Sequence, residues 1–275
     1  MKLPKITDKD LLNISQTNLD SGNSLRQRFN WNHQSIRWFL ASEDTTNFYQ
    51  KVLETIHPYI ENLSSILDIG CGIGGFSIAF AKSGFYVTAI DSSMIAMEHL
   101  RNKIQEINLQ NIKIFPVSLE DFQFFQKYDV IFGSYIMGLM EEKMIDRVLE
   151  YTTHYLILLL PYRRIKNDFC IEELYRELKI DTDYLKQSNY LDLIKILDRK
   201  NISYHIKILH SDFGQPFQTK EEGLDFINHY FPILKKYDDE VMKWLDRKCI
   251  LRDGKYYLPN QKESVIMIIE KKGRI

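Results

Sequence analysis

Cysteine is scarce: Cys71, Cys170 and Cys249 are the only three in 275 residues, and they are scattered. That excludes a disulfide framework, a zinc ribbon and a cysteine-held iron–sulfur centre. No grouping of His, Asp and Glu has metal-ligand spacing either, so no metal site is expected. Basic excess is also missing, with 36 Lys+Arg against 37 Asp+Glu and a net charge of -1, and a dedicated nucleic-acid binder is therefore not expected. No apolar run approaches the roughly 18 residues of a membrane span. The longest, near Tyr155–Pro161, suits a buried strand. The opening stretch MKLPKITDKDLLNISQ lacks the apolar core of a secretory leader. No internal repeat or low-complexity segment occurs. The chain reads as soluble and cytoplasmic. What it does have is 44% hydrophobic and 13% aromatic residues, enough for a real core. At about 150 residues per domain, the length allows one catalytic-sized domain with a substantial remainder.

Residues 1–43 are polar, with Gly22-Asn23-Ser24 as a loop signal, and then bring the aromatics Phe29, Trp31 and Trp38. A helix is expected from about Thr45, because Phe48, Val52, Leu53, Ile56 and Ile60 recur at helical spacing. Glu43-Asp44-Thr45-Thr46 offers capping side chains for its start. From Ser65 the pattern alternates strand and helix. Strands are expected at Ile66–Ile69, Tyr86–Ile90, Ile112–Val117, Asp129–Phe132 and Tyr155–Leu160. Helices are expected at Phe76–Lys82, from Ser92/Ser93 to Asn108, and at Glu141–Tyr151. Buried, β-branched strands joined through helices mean a parallel sheet covered on both faces. Further on, helices near Ile171–Lys179 and Tyr184–Lys200 precede a strand at Ser203–His210, and a last strand is expected at Ser264–Ile269.

The most informative window is Ile66-Leu67-Asp68-Ile69-Gly70-Cys71-Gly72-Ile73-Gly74-Gly75, followed by Asp91 at the end of the next strand. Glycines between strand and helix let the backbone approach a ligand and leave helix N–H groups pointing at it. An acidic residue about 20 positions on can accept hydrogen bonds from a ribose diol. Gly70, Gly72 and Gly75 also satisfy G-x-G-x-x-G, so an NAD-dependent dehydrogenase is one alternative. Asp68 speaks against it, because its charge would repel a pyrophosphate and suits a sulfonium or an α-amino group.

These residues resemble the class I S-adenosylmethionine-dependent methyltransferases. The family's first motif is matched by Asp68-Ile69-Gly70-Cys71-Gly72-Ile73-Gly74, its acidic end of strand two by Asp91, and its second motif by DSSMIAMEHLRNKI. The third is similar to Pro116–Phe122, with Ser118 where an acidic residue is usual, and the fourth to Tyr128–Tyr135. The resemblance implies a Rossmann-like, doubly wound, seven-stranded and mostly parallel α/β sheet. It implies S-adenosyl-L-methionine as cofactor and S-adenosyl-L-homocysteine as product. Carried over residue by residue, it sets Asp68, Gly70, Cys71 and Gly72 at the methionine moiety and Asp91 at the ribose hydroxyls. Ser92 or Met94, with Ser118 and the Leu119 backbone, would then border the adenine, and Gly133 in the fourth motif also belongs to the cofactor site. Cys71 is read as a small filler.

Acceptor candidates follow from topology, since ligands bind beyond the carboxyl ends of parallel strands. Tyr135 after strand four, and Tyr162, Arg163 and Arg164 after strand five, lie at that end, as do His210 and Asp212. Tyr135 and His210 are the candidate catalytic groups, and Tyr135, Tyr162, Arg163 and Arg164 the candidate substrate contacts. His154 precedes strand five and reads as structural. After strand four stands Gly133-Ser134-Tyr135-Ile136, not the Asn/Asp-Pro-Pro-Tyr set associated with exocyclic amines of nucleobases. With the balanced charge, this favours methylation at O, N or S of a small molecule over DNA or RNA. Residues 1–44 are expected to cover the cofactor through Arg28–Trp38. The domain at 45–275 is expected to carry helical cover insertions at about 166–200 and 211–261. In the second, Phe213–Phe217 would be the hinge and Tyr256/Tyr257 the return. A non-catalytic module binding S-adenosylmethionine or S-adenosylhomocysteine remains a further alternative.

Overall fold

The computed structural model describes residues 31–136, 140–162, 169–180, 190–231 and 233–271. Helix α1 (His33–Glu43) opens with a reciprocal cap: Asn32 accepts from the Ser35 N–H while the Ser35 hydroxyl accepts from the Asn32 N–H. Helix α2 (Phe48–Ile60) buries Phe48, Val52, Ile56 and Ile60, the expected stripe. Strand and helix then alternate: β1 (Ser65–Ile69), α3 (Gly75–Lys82), β2 (Tyr86–Ile90), α4 (Met94–Glu106), β3 (Ile112–Phe115), β4 (Tyr128–Ser134), α5 (Glu142–Glu150) and β5 (Thr152–Pro161). Helix α3 ends just before Gly84, whose φ of 96° belongs to the left-handed region that glycine enters freely. Helices α6 (Ile171–Glu177) and α7 (Tyr190–Arg199) precede β6 (Tyr204–Asp212), and β10 (Gln261–Glu270) follows the intervening insertion.

The seven strands are ordered β3-β2-β1-β4-β5-β10-β6. Strands β1 to β5 are parallel, whereas β10 runs antiparallel to both β5 and β6. Alternate residues therefore serve two cores. Ile66, Val130, Phe132, Ile157, Leu159, Ile266 and Ile268 pack against α2 and α3. Leu67, Ile69, Ile131, Leu156, Leu158, Val265 and Met267 pack against α5 and α7. Each fully buried apolar side chain of this size contributes about 1.5–3 kcal/mol. Among the described residues, no helix is long and apolar enough to cross a membrane.

The insertion between β6 and β10 is more than a helical cover. It contains β7 (Gln215–Phe217), α8 (Lys220–Tyr230), α9 (Asp238–Lys248), β8 (Ile250–Arg252) and β9 (Lys255–Leu258). The strands form a second sheet in the order β7-β9-β8. Asp253 and Gly254 both have positive φ, 51° and 76°, as a two-residue hairpin turn requires. That Asp-Gly signal explains the strands that helical periodicity misses. The segments expected as hinge and return are strand partners, with Pro216 opposite Tyr257. Trp38 of α1 shares a third core with Ile171, Tyr175, Phe217, Phe226, Trp244 and Leu258.

At the amino ends of the strands, Asp129 accepts hydrogen bonds from the N–H and hydroxyl groups of Ser64 and Ser65 at 2.9–3.1 Å. His154 lies 3.6 Å from the same carboxylate, at the end opposite the glycine loop. Burial would raise the Asp129 pKa, but the serine donors outweigh it and hold it down to about 2. A carboxyl lowered by folding adds stability that is complete above its unfolded value and lost as pH falls through its folded one. Asp129→Ala is expected to cost about 1–3 kcal/mol at pH 7 in urea unfolding. Its deficit relative to wild type should shrink between about pH 4 and pH 2.

Candidate active site

Beyond β1 the backbone passes through Gly70, Gly72 and Gly74 at φ of 63°, 55° and 87°. All three are left-handed, and Leu100 of α4 occupies the space where a Gly74 side chain would start. The Cys71 N–H donates to the Ile90 carbonyl at 3.1 Å, fastening the loop to β2. Asp91 follows β2 and completes the fastening. One carboxylate oxygen accepts from the Gly72 N–H at 2.9 Å and the other from the Ser93 N–H at 2.8 Å. Each oxygen keeps capacity for a further donor. Ser93 in turn caps α4 through the Ala96 N–H.

Next to Asp91, at the carboxyl ends of β2 and β3, opens a cleft of about 480 Å³ lined by Ser92, Pro116, Val117, Ser118, Glu120 and Asp121. The Ser118 hydroxyl bonds Asp121 at 2.7 Å. Leu119 buries its side chain, and its carbonyl accepts from Arg147. Met94 stands exposed at the first position of α4 and is not part of this lining.

On the other flank of the loop lie buried acids. Asp68 is 1% exposed and accepts from the Ser77 hydroxyl at 2.5 Å. Burial pushes its pKa up to about 7, against the Ser77 bond and with help from Asp91. Glu43, the last residue of α1, accepts from the Tyr49 hydroxyl and is likewise pushed up to about 7 by burial. That hydroxyl fills the space beside Gly75. Burial also drives the Cys71 thiol far above its ordinary range, which disfavours the thiolate that a nucleophile needs. Among the described residues, no cationic side chain contributes to the shifts of Asp68, Glu43 or Asp91. A ligand with a diol at Asp91 and positive charge over Asp68 fits this arrangement: a nucleoside with a cationic amino-acid tail. Two side chains already lie on the loop. A Cβ on Gly72 would meet Trp31 at 2.8 Å, and one on Gly70 would meet Ile136 at 2.6 Å.

A family profile described as a methyltransferase domain matches residues 66–156. The release factor glutamine methyltransferase of Streptococcus pneumoniae is 31% identical over 218 residues, covering 66% of this chain and 73% of that protein. The chain belongs to the class I S-adenosylmethionine-dependent methyltransferases. Members of this family are enzymes whose methyl donor is S-adenosylmethionine. A probable cobalt-precorrin-6B C(15)-methyltransferase of Methanococcus maripaludis is 32% identical over 95 residues, covering 32% of this chain and 51% of that protein. The chain thus spans about half the length of that relative. In fold, it is similar to a magnesium protoporphyrin IX methyltransferase of Synechocystis solved with bound S-adenosylhomocysteine. The TM-score is 0.52 at 13% identity, covering 96% of this chain and 95% of that one.

On the acceptor side of this methyltransferase, Tyr135 has a φ of 58°, unusual for a bulky residue, and costs about 1–3 kcal/mol of strain. The kink turns Ile136 back over Gly70 and Gly133, so the face of Gly133 is covered by Ile136. The Tyr135 hydroxyl meets Ser264 of β10 at 2.6 Å. Tyr162 belongs to the opposite face, where its ring lies 5.8 Å from Tyr190. His210 pairs with Glu263 at 3.7 Å on the edge strand. Ser264 faces Tyr135, so the preceding Glu263, and His210 opposite it in register, face the other way. The two candidate catalytic groups, Tyr135 and His210, therefore do not meet. Arg163 and Arg164 lie outside the described residues. Sequence reasoning missed Tyr49 and read Glu43 as a capping residue. A buried Glu with a Tyr six positions on carries no periodic signal.

Asp91→Ala is expected to weaken S-adenosylhomocysteine binding by at least about 1.5 kcal/mol in calorimetry, through lost charged hydrogen bonds. Unchanged affinity would remove Asp91 from the site. Asp68 has its pKa raised by folding, so its stabilising contribution is complete below about pH 4 and lost as pH rises through about 7. Asp68→Asn should flatten that part of the ligand-free stability profile, read as the urea midpoint from pH 5 to pH 8.

Proposed function

We propose that this methyltransferase transfers a methyl group to O, N or S of a small-molecule metabolite. In this reading the backbone of Gly70, Cys71 and Gly72 lies against the methionine part of the donor, and Asp68 faces its positive charge. Asp91 takes the ribose hydroxyls, Ser92 or Met94 borders the adenine with Ser118 and the Leu119 backbone, and Gly133 belongs to the donor site. When bound, S-adenosylmethionine supplies a methyl group on a sulfonium leaving group. The chain's own work is alignment and exclusion of water, and orientation of this kind is worth roughly 7–11 kcal/mol of barrier. Tyr135 is the side chain at the end of β4 that would border the reacting atoms. The acceptor's proton, where it has one, leaves to solvent or to a nearby base.

One observation carries the choice of acceptor: a roof joined from two parts of the chain spans the carboxyl edge. The Ser42 hydroxyl of α1 bonds Gln215 of the insertion at 2.7 Å, and the Trp38 indole N–H donates to Glu222 at 3.0 Å. The Thr46 hydroxyl reaches the Asp212 carbonyl at 2.5 Å. Beneath this junction lie Phe39, Phe48 and Phe213, with ring centres 5.4–5.7 Å apart. A cover joined in this way suits a compact molecule better than the continuous strand of a nucleic acid. Residues 1–44 and the segments at about 166–200 and 211–261 act as covers in this reading, which goes with a cytoplasmic location.

Incubation with methyl-labelled S-adenosylmethionine and metabolite extract is expected to give a labelled small product. Label in protein or nucleic acid alone would overturn the small-molecule reading. Binding of S-adenosylhomocysteine with no label transferred anywhere would make the chain a binding module instead.

A further inference from the structure

Helix α1 lies along the donor loop. At its entry a Cβ on Gly72 would meet the Trp31 ring, and in its middle Ile36 packs with Ile73 of the loop and Ala96 of α4. Its last residue, Glu43, accepts the hydrogen bond of the Tyr49 hydroxyl. Tyr49 is the second residue of α2, so this bond spans the link between the two helices and fixes the angle between them. The Tyr49 ring in turn stands on the first turn of α3. Its hydroxyl end occupies the space where a Gly75 side chain would start, and the ring meets Phe76 edge-on at 4.7 Å. One residue further on, the Ser77 hydroxyl donates to Asp68 at 2.5 Å. The tyrosine and the acid assigned to the methionine part of the donor thus share one helical turn.

Ring packing does not account for the phenol. Phenylalanine would keep the ring contacts with Phe48 and Phe76, whereas only the hydroxyl reaches Glu43. Burial first, then the negative charges of Glu43 and Asp68, push the Tyr49 pKa well above its ordinary value, so the hydroxyl keeps its proton and stays a donor. The ribose and adenine residues lie elsewhere: Asp91 bonds Gly72, and the cleft at Ser92 and Ser118 opens on the other flank of the loop.

We propose that Tyr49, oriented by Glu43, is a positioning residue for the methyl donor, holding α1 and the start of α3 in the arrangement that receives the donor's methionine part. It acts through the placement of Gly75 and of α1, not through the reacting atoms. The inference rests on the placement of the methionine part at Asp68 proposed above.

The test measures, by calorimetry on the full chain, binding of S-adenosylhomocysteine and of methylthioadenosine, which keeps adenine and ribose but lacks the amino-acid tail. Tyr49→Phe and Glu43→Ala are each expected to weaken S-adenosylhomocysteine at least about fivefold, through one lost hydrogen bond. Both should leave methylthioadenosine within about twofold of wild type, which also reports that the variants are folded. Glu43→Gln should restore S-adenosylhomocysteine binding to within about twofold, because an amide oxygen still accepts from the phenol. The double variant should bind no more weakly than either single one, since both remove the same bond. Equal weakening of both ligands, additive losses, no rescue by Glu43→Gln, or an unchanged Tyr49→Phe would each overturn the proposal. Wild type separates the two readings. If it binds S-adenosylhomocysteine no better than methylthioadenosine, the placement of the methionine part fails; if it prefers S-adenosylhomocysteine and Tyr49→Phe keeps that preference, only the role of Tyr49 fails.

Discussion

One carboxylate holds together the two turns from which the site is built. Asp91 takes a backbone N–H from the glycine loop after β1 and another from the capped start of α4. Parallel pairing makes this possible, since Ile69 and Ile90 are register partners and both loops leave the sheet side by side. A left-handed glycine loop exposes backbone donors that need partners, and an anion at the next strand end supplies one. The cleft beside Ser92 exists because α4 starts where Asp91 fixes it. The same side chain thus shapes the loop and, by the reading above, meets the ribose. Architecture and recognition are not separable here.

The second constraint is the direction of β10. Because it runs antiparallel between β5 and β6, both ends of the Ser211–Gln261 insertion emerge at the carboxyl edge. The insertion then folds on its own small sheet and shares a core with Trp38 of α1. Buried polar bonds at Ser42–Gln215 and Trp38–Gln215 tie the two covers together. Separating the two segments would leave buried groups unpaired, at about 1–3 kcal/mol each.

The parallel half of the fold was legible because its signals are local and periodic. Tyr86–Ile90 reads as a strand on composition alone, and Gly84 marks the helix end. The glycine loop and Asp91 were legible because spacing encodes their geometry. The insertion's strands were not, since Pro216 and Gly214 interrupt any alternation and the hairpin rests on the Asp253-Gly254 turn. Lys262 and Glu43 were invisible for another reason. The lysine meets rings far away in sequence, Phe48, Tyr135 and Phe213, and the glutamate reaches the glycine loop only through the Tyr49 hydroxyl that packs on Gly75. His210 shows the converse failure. Its position at a strand end was read correctly, but strand alternation turned its ring away from Tyr135.

The two ends of the sheet treat their carboxylates in opposite ways, and the contrast locates function. At the amino end, Asp129 is saturated by serine donors and held down to about 2, the behaviour of a group that stabilises the fold. At the carboxyl end, burial pushes Asp68 and Glu43 up to about 7, with no cation beside them among the described residues, so that ionising them works against folding. Tyr135 adds backbone strain at the same end. A fold under no functional demand would relax such features one by one, since each costs stability that a substitution could recover. Their concentration around one loop follows if a positively charged ligand completes the site. A cation over Asp68 turns the cost of ionising it into attraction and draws its pKa down. Donor binding then adds stability in proportion to its concentration over its dissociation constant.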